Sequence, residues 1–213
     1  MLTLPTLALY CVATRDHVAA GKGWAKAQQG IEYGQKILLT DKPEHFDTTN
    51  TTVIVIPPFV HYEDVCVWYC TQSPDILLSA MTAHVQAVIC CAWDGFPINN
   101  DCWTDEFLEQ DYIGAVMHGW AVGNGGFTYM SRRWFEALKR LNLPATREAC
   151  FPSDQILCIR HRAWFESQGI KFAPVALAER FSKENRPPYD QEPRSWGGHG
   201  KLFISDLCKQ GRY

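Results

Sequence analysis

Apolar runs of strand length alternate with helix-compatible stretches through the first half of the chain, and this rhythm constrains the fold more than any single motif. Residues 6–12 form a short apolar run ending in Ala13-Thr14-Arg15-Asp16, residues 17–30 suit a helix, and residues 36–41 return to strand character. Residues 53–56 are β-branched throughout and stop at Pro57-Pro58. Residues 61–80 suit a helix that Pro74 divides into two pieces, after which a strand over residues 86–92 delivers Asp94 to its end. This order predicts an α/β sandwich with a mixed, mostly parallel central sheet flanked by helices. Ligands of such sheets gather outside the carboxyl ends of the strands, where Arg15 and Asp94 both fall.

The second half is more helical. Ser131 is placed to cap a helix carrying Trp134, Phe135, Leu138 and Leu141 on one face, with Pro144 beyond its end. Ser153 or Asp154 is placed to cap another, with Ile156, Leu157, Ile159, Trp164 and Phe165 as its apolar positions and Gly169 as its stop. Residues 182–200 turn polar and rich in Pro, Gly and charge, which predicts a surface loop. Its segment Trp196-Gly197-Gly198-His199-Gly200 is expected to matter most for covering a site.

Composition narrows the partners. At 213 residues the chain suits a single domain, and a net charge of -3 gives no broad basic face for nucleic acid, leaving Arg132-Arg133 and residues 160–162 as local patches. Nine cysteines is an odd count, and neither Cys66/Cys70 nor Cys90-Cys91 has zinc-site spacing with a matching second half. Reduced, mostly buried thiols in a cytoplasmic protein are expected. Arg15 and Asp16 interrupt the first apolar run well short of a membrane span, so no transmembrane segment is expected. Eight Trp and eight Tyr supply rings for the core or for stacking on sugars and bases.

The segment Val122-Gly123-Asn124-Gly125-Gly126-Phe127-Thr128 lets the backbone approach a ligand closely, yet it matches neither a P-loop nor a dinucleotide fingerprint. Asp94-Gly95 reads either as a plain turn or as a carboxylate for Mn²⁺ or Mg²⁺ bound with a diphosphate. His199, set among glycines, is either a surface histidine or a second group on that cation. Asp154 reads as a helix cap or as a general base, and Arg15 with Thr14 as surface residues or as nucleotide contacts.

Several blocks in fixed order carry a wider resemblance. They are Ala13-Thr14-Arg15, Leu38-Leu39-Thr40-Asp41, Trp93-Asp94-Gly95-Phe96, Trp103-Thr104-Asp105-Glu106-Phe107-Leu108, Asp111-Tyr112-Ile113-Gly114-Ala115, the glycine segment, Phe151-Pro152-Ser153-Asp154 and Phe181-Ser182-Lys183-Glu184. Together, over residues 7–203, they resemble a family of largely uncharacterised glycosyltransferase-like proteins of bacteria and viruses that is similar to small, metal-dependent GT-A enzymes. The resemblance implies a GT-A-like, Rossmann-like sandwich in one domain, with a nucleotide-binding half over residues 1–100 and an acceptor half over residues 101–213.

Carried over by position, the resemblance puts Asp94 on the metal-diphosphate and gives His199 the part of a late metal or phosphate ligand. Asn124 and Gly125 line the donor-sugar pocket with Gly95 and Gly126 beside them, and Asp154 is the candidate base. The chain departs from the family at Val116-Met117-His118-Gly119-Trp120, where Pro-Trp is usual, at Ser153, where an acid is usual, and at Phe96, where a second acid is missing. The implied activity is inverting transfer of a hexose from a nucleotide diphosphate sugar such as UDP-glucose, in a bacterial or virus-infected cell. The acceptor is a glycan, a lipid-linked saccharide or a hydroxymethylated pyrimidine in viral DNA. A sugar-nucleotide-binding module without catalysis and a nucleotidyltransferase are the alternatives, and the sequence does not determine the oligomeric state.

Overall fold

A computed structural model of the chain describes residues 1–184 and 194–213. Four parallel strands build one side of a six-stranded sheet: β1 (Leu2–Ala13), β2 (Ile31–Thr40), β3 (Thr52–Val55) and β4 (Ala87–Cys91). β6 (Tyr112–Met117) and β7 (Ala121–Ser131) complete it, β7 running antiparallel to both β4 and β6, for a spatial order β3-β2-β1-β4-β7-β6. This is the mixed, mostly parallel α/β sandwich expected from the sequence.

Both faces of the sheet are covered, which is why β1 from Leu7 onward reads as an unbroken apolar run. Leu7, Leu9 and Cys11 face one layer with Trp24 of α1 (His17–Ala27), while Ala8 and Tyr10 face the other. In that second layer lie Trp68 of α2 (Tyr62–Thr71), Leu77 of α3 (Ser73–Ala80) and Trp134 of α4 (Arg132–Leu141). Pro74 sits in the first turn of α3, where its missing N–H costs nothing, and so splits the two helices as expected. Ser131 caps α4 as expected, its Oγ accepting from the Trp134 N–H at 3.1 Å. The same hydroxyl donates to Asp111 at 2.7 Å.

Two expectations are corrected. After α5 (Arg147–Cys150), the helix expected over residues 153–169 is three pieces: α6 (Ser153–Gln155), a π-helical turn Ile156–Arg160 and α7 (Arg162–Ser167). Pro152 is its N-cap residue, so neither Ser153 nor Asp154 caps it. Asp154 already lies inside the first turn, and its carboxylate accepts from the adjacent Gln155 N–H at 2.8 Å.

The expected surface loop over residues 182–200 is instead partly core, residues 185–193 lying outside the described residues. After α8 (Val175–Phe181), β8 (Ser182–Glu184) and β9 (Gly197–His199) form a small sheet with β5 (Gly95–Pro97), in the order β5-β9-β8. Trp196 is fully buried against Trp103, Phe127 and Phe181. A Cβ on Gly197 would lie 2.3 Å from the Phe127 ring and one on Gly198 2.6 Å from the Phe203 ring, so these glycines admit aromatic packing rather than loop freedom. α9 (Lys201–Lys209) follows and buries Phe203 and Leu207.

The local arginine patch is also spoken for. Arg132 donates to the carbonyls of Met81, Thr82 and Val85, and Arg133 to Asp111 and the Gly169 carbonyl. No helix among the described residues is long and apolar enough to cross a membrane.

Candidate functional site

The parallel strands end on one edge of the sheet, and the candidate residues gather there. Beyond β4 the chain turns tightly, Ala92 and Gly95 exchanging backbone hydrogen bonds at 2.9 and 3.3 Å, so Asp94 is held at the tip of a turn. The turn and ligand readings of Asp94-Gly95 are therefore compatible: the turn is what presents the carboxylate. Gly95 pairs in register with His199 of β9, and the Gly200 N–H donates to the Asp94 carbonyl at 2.8 Å.

This long-range pairing brings His199 Nε2 to 3.5 Å from Asp94 Oδ1, a separation too long for a hydrogen bond. On its other side, His199 Nδ1 stands 3.7 Å from a Glu184 carboxylate oxygen, through the pairing of β8 with β9. Nδ1 is buried and makes no hydrogen bond among the described residues. Burial pushes the Asp94 carboxyl above its ordinary pKa, against the opposing pull of His199, a backbone hydrogen bond and Lys201.

The glycine segment packs against this pair. A Cβ on Gly126 would lie 1.8 Å from His199 Nε2, so the imidazole occupies the space that any side chain there would take. Asn124 is nearly buried and its Oδ1 accepts from the Gly126 N–H at 3.1 Å, which fixes the bend, while Gly125 faces open space. The structure thus brings together Asp94, Gly95, Asn124, Gly126 and His199.

Thr14 and Arg15 lie farther along the same edge, at the end of β1. The Thr14 hydroxyl accepts from the Phe59 N–H at 3.3 Å, and Arg15 is exposed. The geometry adds two residues there that sequence reasoning assigned no role: His17 Nε2 and Asp41 Oδ1 lie 2.7 Å apart across the ends of β1 and β2. Asp41 belonged to a block of the resemblance, but a pairing across 24 positions leaves no local signal.

Asp154 approaches from the other side. Its helix, α6, packs against α2 and β7, and its carboxylate is half-buried. Tyr62 is the first residue of α2. Burial raises its hydroxyl pKa to about 12, with the Cys66 thiol, Asp154 and Asp94 adding to the shift. Tyr62 also meets Phe151 edge to face, ring centres 6.0 Å apart at 84°.

The mixed, mostly parallel six-stranded sheet flanked by helices is a glycosyltransferase-like, GT-A-type fold. Among solved structures the chain is similar to one described as a glycosyltransferase involved in the glycosylation of the major capsid of PBCV-1, with a TM-score of 0.56 and 9% identity over 98% of this chain and 100% of that one. At that identity the likeness is one of fold. No family model and no curated protein matches the chain.

Proposed function

We propose that the protein transfers a hexose from a nucleotide diphosphate sugar, UDP-glucose being the simplest such donor, to an acceptor hydroxyl, with inversion at the anomeric carbon. The observation that carries this reading is the convergence of Asp94 and His199, 3.5 Å apart over Gly126, on a glycosyltransferase-like fold. A carboxylate and an imidazole converging without a hydrogen bond between them fit a divalent cation. Hard cations are often held by one or two protein groups plus substrate phosphates. Mn²⁺ or Mg²⁺ bound there supplies positive charge to the diphosphate as the glycosidic bond breaks.

The chain's own residues do the rest. Asp94 and His199 Nε2 would hold the cation, with the Glu184 carboxylate 3.7 Å from Nδ1 on the far side of the ring. Thr14 and Arg15 bind the nucleotide, while Gly95, Asn124, Gly125 and Gly126 line the donor sugar. Asp154 accepts the proton of the acceptor hydroxyl. The oxygen's electron pair forms a bond to the anomeric carbon, the bond from that carbon to the diphosphate oxygen breaks, and the nucleoside diphosphate leaves with its electrons. A single displacement of this kind inverts the centre.

A second reading, a sugar-nucleotide-binding module without turnover, draws on the thin acidic set: Phe96 stands two positions after Asp94, and among the described residues no three His, Cys, Asp or Glu side chains are grouped so that they could hold a metal ion. Thermal scanning with UDP-, GDP- and CMP-sugars, with and without Mn²⁺, tests the donor class. A metal-dependent rise in melting temperature with one donor is expected, and a flat response to every nucleotide sugar overturns the reading. Release of nucleoside diphosphate on adding acceptor then separates turnover from binding alone.

A further inference from the structure

Most large aromatic rings of this chain are locked in its two core layers, Trp24, Trp134 and Trp196 being fully buried. Tyr62, Trp120 and Phe151 are not: they are 62%, 60% and 37% exposed. Burying a ring is worth kilocalories to a fold, so rings left in water beside a candidate site suggest a contact made with something else. Tyr62 and Phe151 already touch edge to face, and Phe151 stands in the same short turn as Asp154. Trp120 rises on the hairpin between β6 and β7, whose turn residues His118 and Gly119 both take positive φ, 53° and 78°. β6 runs parallel to β4, because β7 is antiparallel to both, so this hairpin extends past the edge that carries Asp94.

The charge of this face decides what the rings suit. Asp154 and Asp94 both act on the Tyr62 hydroxyl, and Glu63 and Asp64 follow Tyr62 in the first turn of α2. The nearby guanidinium of Arg147 is already paired to Asp64 at 2.9 Å. A phosphodiester strand brought here would meet more carboxylates than cations, and a base would first have to leave its stack. A pyranose carries no charge and offers a face of C–H groups that packs on aromatic rings, with hydroxyls at its rim.

We propose that Tyr62 and Phe151, with Trp120 at the rim, form an acceptor subsite for a neutral saccharide that lays its C–H face on these rings and directs a hydroxyl to Asp154. This rests on the transferase reading above. Saturation-transfer NMR with a panel of neutral methyl glycosides, set beside a short hydroxymethylcytosine duplex, tests it without donor or turnover. Ring C–H protons of a glycoside should receive magnetisation from the wild-type protein. Tyr62→Ala and Phe151→Ala should each weaken glycoside binding about five- to tenfold, while Tyr62→Phe, which keeps the ring, should bind like wild type.

Glycoside binding unchanged in both alanine variants, no glycoside binding at all, or tighter binding of the duplex than of every glycoside overturns the subsite. Tyr62→Ala, at a residue 62% exposed, should melt with the wild type, whereas Phe151→Ala, at a residue 37% exposed, should melt lower, so Tyr62→Ala is the variant that separates ring contact from folding. A donor-induced thermal shift on the same samples keeps the two ideas apart. Donor binding without ring contact sinks only the subsite, whereas ring contact without donor binding sinks only the transferase reading.

Discussion

The edge that carries Asp94 and the face that carries Asp154 lie side by side and are built in opposite ways. At the first, His199 is seated on Gly126, held in register by Gly95 and backed by Glu184, and the Asp94 carboxylate is largely withdrawn from water. At the second, Tyr62 is largely exposed and Phe151 partly so, and Asp154 is half-buried in a single short turn. On the transferase reading proposed above, the contrast teaches that the donor side is preorganised, its groups fixed before any ligand arrives, while the acceptor side is an open platform. A carboxylate fixed in a partly dry pocket would hold a cation firmly against a diphosphate; a flat exposed ring accepts a range of sugars at little conformational cost.

Substitutions that treat the two regions differently sharpen or break this contrast. The largest effect is expected at Asp154. Asp154→Asn should lower transfer by about 10²- to 10⁴-fold, the usual worth of a positioned base, and leave donor affinity where it was. Rates of labelled product formation, read beside donor binding, check this. Next comes the glycine seat: Gly126→Ala should displace His199 and weaken metal-dependent donor binding about 10- to 100-fold. Gly125→Ala, one residue away and with nothing within 4 Å of its added methyl, should bind donor like wild type. Equal affinities for the two alanine variants in a calorimetric titration would mean that the His199 position is not what matters.

The smallest effect concerns stability. Burial raises the Asp94 pKa, so at neutral pH its charged form costs the fold energy that His199 and Lys201 only offset. In the absence of metal, Asp94→Asn should therefore melt about 2 °C higher than wild type. A lower melting temperature would mean that the carboxylate supports the fold and is not held there at a cost.

The two regions also differ in how much of them could be read from the sequence. β1, the end of β2 and β4 were legible because strands buried on both faces leave continuous apolar runs, β3, a half-exposed edge strand, because its residues are β-branched, and Pro74 and Ser131 act within one turn of themselves. The small sheet was not legible. β5 is Gly-Phe-Pro and β9 is Gly-Gly-His, and their pairing joins Gly95 to His199 across the chain with no local periodicity to announce it. The polar composition of residues 182–200 pointed outward, while Trp196, flanked by glycines that admit neighbouring rings, is drawn into the core. Asp94, His199 and Asp154 were legible as candidates one at a time. Their arrangement exists only once the chain is folded.

The division between a fixed donor edge and an open acceptor face is tested most directly by titrating UDP-glucose, in the presence of Mn²⁺, into the wild-type protein, Asp94→Asn and Asp154→Asn. The expected result is a donor affinity for Asp154→Asn within about twofold of wild type and a loss of at least about tenfold for Asp94→Asn. Equal weakening in both variants would contradict the division, because it would place both carboxylates on the donor.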